Sequence, residues 1–188
     1  MSTFIHITNR KTPASIALAF VFTAAIVSLG GLAIAPLVAI VFATGFVPGF
    51  LLWLFRPVRF TFSDIKAPYF VALAAYVVHR IDEGVSGFVP AMEELTGRAA
   101  VDVATPVSII LVLLSLIWML SPILVRWGIS FGYFGAWSLF AAFGIVEIWH
   151  FIFPLLTPEP YGYFPGMITA PLIAAAGWWG MWRLWKTE

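Results

Sequence analysis

The sequence predicts an all-α fold: a polytopic membrane helix bundle of about six transmembrane helices, with both termini cytoplasmic. Three observations carry this prediction. The 188 residues are 62% hydrophobic and only 10% charged, and the mean hydropathy is +0.99, a composition of multi-pass membrane proteins and not of soluble domains. The apolar residues come in long runs separated by short charged or proline-rich connections. Arg10, Lys11, Arg56, Arg59, Lys66, Arg126, Arg183 and Lys186 all fall on the side of the termini, against Arg98 alone on the other. The positive-inside rule makes that side the cytoplasm.

The first apolar run, 14–55, holds 42 residues without a charge. As one helix it would be about 63 Å long at ~1.5 Å per residue, twice a ~30 Å hydrocarbon core. It must fold back, and Gly30-Gly31 with Pro36 mark the break, giving spans at 14–31 and 34–55. A basic loop, 56–66, leads to a third span at 67–86. The longest polar connection, 85–104, contains Pro90 at a helix start, Glu93 and Glu94 in the first turns and Gly97 at the end, which reads as a short helix lying over the membrane surface.

Thr105-Pro106 is an N-cap and first-turn pair opening span four, 105–125. Span five, 128–153, carries Gly128, Gly132 and Gly135 on its early turns, where small residues permit close helix contact. Pro154, Pro158, Pro160 and Pro165 make the next connection non-helical. Span six, 166–185, is weakened by Pro171 and ends in tryptophans. Trp53, Trp118, Trp127, Trp182 and Trp185 are expected at the cytoplasmic interface as an aromatic belt. All six spans form a single bundle over 1–188.

Several function classes are excluded by composition. A net charge of +1 with scattered basic residues gives no nucleic-acid footprint. With no cysteine, disulfides, thiolate metal sites and cysteine nucleophiles are ruled out, so any metal is held by His and carboxylate. The partners that composition implies are the lipid bilayer and a lipid-like or small hydrophobic substrate.

Two stretches break the apolar pattern. His79-Arg80-Ile81-Asp82-Glu83 ends span three and Glu147-Ile148-Trp149-His150 ends span five. An Asp or Arg at mid-bilayer costs roughly 2.5–3.5 kcal/mol on insertion scales, so such clusters mark function by default. Spans three and five both run outward, which places His79, Asp82, Glu83, Glu147 and His150 at matched depth in the outer third. At 100° per residue, Asp82 lies about 60° to one side of His79 and Glu83 about 40° to the other, with Tyr76 one turn below. Glu147 and His150 share a face at the Glu-x-x-His spacing that supplies metal ligands in helix bundles.

Two imidazoles and up to three carboxylates form an N/O donor set suited to Zn, Mn or Fe, with His79, Glu83, Glu147 and His150 as the ligands. Without metal, the same groups serve as acid and base. Arg80 is expected to compensate charge on Glu83 or Glu147, and Tyr163 and Thr169 are candidates to line the site. The bland alternative is an interfacial turn whose polar tips reach headgroups and water.

At these residues the chain resembles the HXXEE-motif family of bacterial multi-pass membrane proteins, named for an intramembrane His-x-x-Glu-Glu. Here the motif is His79-Arg80-Ile81-Asp82-Glu83, with Asp in place of the first Glu, and the likeness extends over about 67–185 through Glu147, His150 and the segment Tyr163–Pro171. The resemblance implies a bacterial cytoplasmic (inner) membrane and a site within it, and names no reaction. A looser similarity, at His79, Glu83 and Glu147, is to the sterol-isomerase group of emopamil-binding proteins, where a membrane His and acids shift protons on a lipid. The expected function is an integral membrane enzyme acting on a lipid or isoprenoid-like substrate, as isomerase, cyclase, hydratase or hydrolase. Two other classes use the same residues: a proton- or cation-coupled carrier, and a non-catalytic accessory subunit.

Overall fold

The computed structural model describes residues 11–57 and 60–187, with the side chains of 100–107 outside the description. Arg10 and Arg59 of the charge count lie outside the described residues. Among those described there are seven α-helices and no strand: α1 (Pro13–Leu29), α2 (Pro36–Phe55), α3 (Phe62–Ser86), α4 (Phe88–Thr96), α5 (Ala100–Arg126), α6 (Ser130–Ile145) and α7 (Ala170–Lys186).

Four segments are long and apolar enough to cross a membrane: Pro13–Ile34, Pro36–Phe55, Ser108–Arg126 and Ser130–Leu155. The other two expected spans form as helices without meeting that measure. α3 carries Asp64, Lys66, Arg80, Asp82 and Glu83, and α7 is only 17 residues long and ends in Arg183 and Lys186.

The boundaries differ from expectation for local reasons. The glycine pair does not break the first hairpin; Gly30–Ile34 continues α1 as a π turn, and the chain reverses at Ala35, before Pro36 at the head of α2. The glycines instead let the two helices touch, since a methyl on Gly30 would lie 2.8 Å from the Phe42 ring and one on Gly31 2.9 Å from Ala39 Cβ. α3 begins inside the expected 56–66 loop because Thr61 and Asp64 form a capping box, which satisfies two free amides of the first turn. α5 starts at Ala100, so Thr105 and Pro106 lie within it and do not open it. Pro171 sits in the first turn of α7, where its missing N–H costs nothing, and so starts the helix without weakening it.

α6 is the hub. From Gly132 to Gly144 every residue is buried, because α2, α5 and α7 pack around it. A helix apolar on all sides is stable only if enclosed, and this one is enclosed at short range. A methyl on Gly49 of α2 would meet Ser138 Cα at 3.0 Å, and one on Gly177 of α7 would meet Gly144 Cα at 2.8 Å. Phe22, Phe50, Trp53 and Phe134 then fill one side with edge-to-face rings. Trp53 and Trp118 are therefore core residues, 0% and 2% exposed, and not members of an interfacial belt; Trp127, Trp182 and Trp185 do face outward.

The described basic residues near the chain ends gather at one end of the bundle. Lys11 Nζ donates to the carbonyls of Leu54 and Arg56, the Arg56 guanidinium lies 3.5 Å over the Trp185 ring, and Arg183 Nε donates to Asp64 O at 3.2 Å. The cluster of histidines and acids is at the other end.

Candidate active site

α3 buries a stripe of Ile65, Tyr69, Ala72 and Ala75, and the same stripe continues upward through His79 and Glu83. The helical repeat thus carries an imidazole and a carboxylate into the core face. Arg80 and Asp82 lie to either side, less buried.

Opposite them, α6 gives way after Ile145 to a 3₁₀ turn, Val146–Phe151. Residues three apart eclipse in that geometry, so Glu147 and His150 stack one above the other more closely than on an α-helix. The expected meeting of the two stretches occurs. His79 Nε2 lies 2.8 Å from Glu147 Oε2 and 3.5 Å from Glu83 Oε1, while His150 Nε2 lies 3.4 Å from both carboxylates. His79, Glu83 and His150 are nearly inaccessible, and Arg80 forms an ion pair with Glu83 from the side.

The far nitrogens of the two rings fix their tautomers. His150 Nδ1 is 2.6 Å from the Pro165 carbonyl oxygen, which can only accept, so Nδ1 carries the hydrogen. Thr169 Oγ1 donates to Asp82 Oδ2 at 2.8 Å, and its remaining role toward His79 Nδ1, 2.7 Å away, is to accept. Both histidines therefore present an Nε2 lone pair to the centre when neutral.

The segment supplying these partners is the turn before α7. Its Gly166 has φ +90, open to glycine and rarely to other residues. A methyl there would lie 2.7 Å from His150 Nδ1 and 3.0 Å from His79 Cε1, so only hydrogen fits against the two rings. The rings cross at 86° with centroids 4.8 Å apart. α7 begins directly after Thr169 and brings its positive dipole end to this side of the acids.

The arrangement suits a cation. One donor atom each from His79, Glu147 and His150 lies within 4.8 Å of the other two. Around an ion with bonds of ~2.0–2.1 Å, tetrahedral ligands stand roughly 3.3–3.4 Å apart; His150 Nε2 and Glu147 Oε2 stand at 3.4 Å, and His79 Nε2 is closer to that oxygen, at 2.8 Å. His79 Nε2 is also buried without a directed hydrogen bond, although Glu147 Oε2 lies 2.8 Å away. Such an orphaned nitrogen is costly unless something else occupies its lone pair. Two imidazoles and one carboxylate, with each imidazole held by an outer oxygen, form the donor set of catalytic centres that keep a coordination position free.

Below the cluster lies a cleft of about 860 Å³, counting its open mouth. Its walls are apolar apart from Arg80, Glu83, Glu147 and His150 at one end and the Tyr76 hydroxyl. That hydroxyl is 3.3 Å from Ser115 Oγ.

Of the residues expected at the site, His79, Glu83, Glu147 and His150 form the centre, and Tyr76 and Arg80 line the cleft. Asp82 is moved outward, reaching His79 only through Thr169. Tyr163 is 55% exposed and lines a separate, shallow depression beside Glu94 and Glu159. Sequence reasoning missed the Pro165 carbonyl and Gly166, whose Pro-Gly pair signals a sharp turn but not what it touches. It also missed Phe46, Trp118 and Phe143, which have no polar signature. Comparison with protein families, with curated proteins and with solved structures finds no match to the chain.

Proposed function

We propose that the chain is an integral membrane enzyme that acts on a lipid-like substrate through a divalent metal held by His79, His150 and Glu147. The observation that supports it is the convergence of two Nε2 lone pairs and a carboxylate at one buried point, at the polar end of an apolar cleft. Zn, Mn and Fe match the donors. A metal held there would supply Lewis-acid chemistry suited to hydrolysis or hydration. Glu83, 3.4–3.5 Å from both Nε2 atoms and ion-paired with Arg80, is the carboxylate beside the three ligands that would hold or pass a proton. The proton relay Thr169–Asp82 holds His79 in its ligating tautomer.

The membrane placement belongs to the same reading. Six spans with cytoplasmic termini in a bacterial inner membrane agree with the basic end formed by Lys11, Arg56 and Arg183, and set the cluster in the outer leaflet. The His79-x-x-Asp82-Glu83 pattern supports a place beside the HXXEE-motif family.

Metal analysis of the purified protein tests the proposal. About one equivalent of Zn, Mn or Fe per chain is expected, absent from folded His79→Ala and His150→Ala and kept in Tyr163→Ala. Failure to bind any of the three ions, even after loading, would remove the metal from the mechanism. The chain has no cysteine, so single cysteines placed at Glu94 and at Lys186 report topology directly. Only the first is expected to react with an impermeant thiol reagent added to intact cells.

A further inference from the structure

The cleft under the cluster ends in a floor built from four rings. On four of the helices that line it, the lining residue farthest from the acids is an aromatic or its neighbour: Phe46 on α2, Tyr76 on α3, Trp118 on α5, and Phe143 beside Ala142 on α6. The rings lock one another. Phe46 and Trp118 are stacked within 3° at 6.4 Å, Tyr76 and Phe143 are stacked at 5.3 Å, and Trp118 meets Phe143 edge-on at 4.9 Å. Polar tethers hold them from behind, since Trp118 Nε1 donates to Ser138 Oγ and Tyr69 Oη donates to the Trp118 carbonyl. A close-packed wall of this kind yields little to an incoming chain.

The height of the space above the floor follows from the helix repeat. From Glu83 down to Tyr76 is seven residues along α3, and from His79 it is three, about 10 Å and about 5 Å at ~1.5 Å per residue. The tethers tie α3 to α5 at the level of Tyr69 and Tyr76, and among the described residues these two helices hardly touch otherwise. Above that level Arg80 lines the cleft and is 30% exposed.

We infer that the four-ring floor is a ruler: the site takes single-tailed amphiphiles whose reacting polar group sits at the His/Glu cluster and whose apolar part ends about 5–10 Å below it, room for roughly four to eight carbons. This rests on the reading of the cluster as the reacting centre. A full-length acyl chain does not fit head-down.

The test uses the full chain in bilayer nanodiscs and two homologous probe series with tails of four to fourteen carbons. The n-alkyl hydroxamates bind through a metal; the n-alkylamines bind bare carboxylates. Affinities are referred to free aqueous probe and corrected with empty nanodiscs. Binding is expected to tighten about fourfold per added methylene up to roughly eight carbons, and to weaken roughly tenfold by twelve as the tail meets the floor.

Leu114 lines the cleft one turn above Trp118. Leu114→Phe should raise the floor and shorten the best tail by about two carbons, whereas Phe46→Leu should lower it and lengthen the best tail by about as much. Affinity that climbs steadily through fourteen carbons in both series, an optimum that does not move in opposite directions in the two variants, or no binding of either series overturns the ruler. An optimum with amines and none with hydroxamates keeps the ruler and removes the metal.

Discussion

α6 and the 3₁₀ turn that continues it are one stretch of chain held in place by opposite means. Between Gly132 and Gly144 the helix is fixed mainly by size: neighbouring backbones approach so closely that a methyl added at Gly132, or at Gly49 or Gly177 facing it, would meet backbone atoms. From Val146 to Phe151 the chain is fixed by direction, through His150, which points one nitrogen at the Pro165 carbonyl and the other at a pair of acids. The difference teaches where each kind of damage should appear. A wrong volume in the lower part costs stability and leaves the chemistry of the cluster alone; a wrong donor in the upper part changes what the cluster binds and leaves the bundle standing.

The largest expected effect is at the centre itself. His150→Ala or His79→Ala should weaken Zn affinity, measured by competition with a chelator, by more than the roughly 100-fold that loss of an outer partner causes. The thermal midpoint of the metal-free protein should move little. Next comes the relay. Thr169→Val keeps the shape and removes the acceptor for His79 Nδ1, and should cost about 10–100-fold in metal affinity; Thr169→Ser should recover most of it, which a purely steric role for Thr169 would not predict.

A third change probes the other half. Gly49→Val drives side-chain atoms into the Ser138 backbone, so unfolding should be easier by about 1–3 kcal/mol, with metal affinity of the folded fraction within about threefold of the parent. Equal loss of metal affinity and stability in this variant would abolish the distinction between the two halves. The smallest effect belongs to Tyr163→Ala, on the exposed side of the loop, expected within about 0.5 kcal/mol in stability and neutral for metal.

Much of this division is legible in the residues themselves, though not all. His79, Glu83, Glu147 and His150 announce themselves because ionisable groups in apolar runs are costly, and helical spacing puts them on inward faces. The hub role of α6 is foreshadowed by its early glycines and its lack of any polar face. What could not be read off is whatever depends on one turn being tighter or one loop folding back. Nothing in Glu147–His150 marks the switch to 3₁₀, and Asp82 looks like a central acid until Thr169, 87 positions away along the chain, arrives between it and His79. Trp53 and Trp118 share composition with a membrane belt, and only the packing of α2 and α5 on α6 makes them core. Thr105-Pro106 is a good helix opening that an earlier start at Ala100 makes redundant.

The turn at Pro165–Thr169 has a consequence for synthesis. Both histidines leave the ribosome before the oxygens that orient them. A nascent chain released or stalled ahead of this turn holds the acids and imidazoles with no rule for which nitrogen faces inward, and α6 with one flank bare until α7 docks. Order at the cluster therefore comes last: only the final helix covers the bare flank of α6 and carries in the oxygens that set both rings.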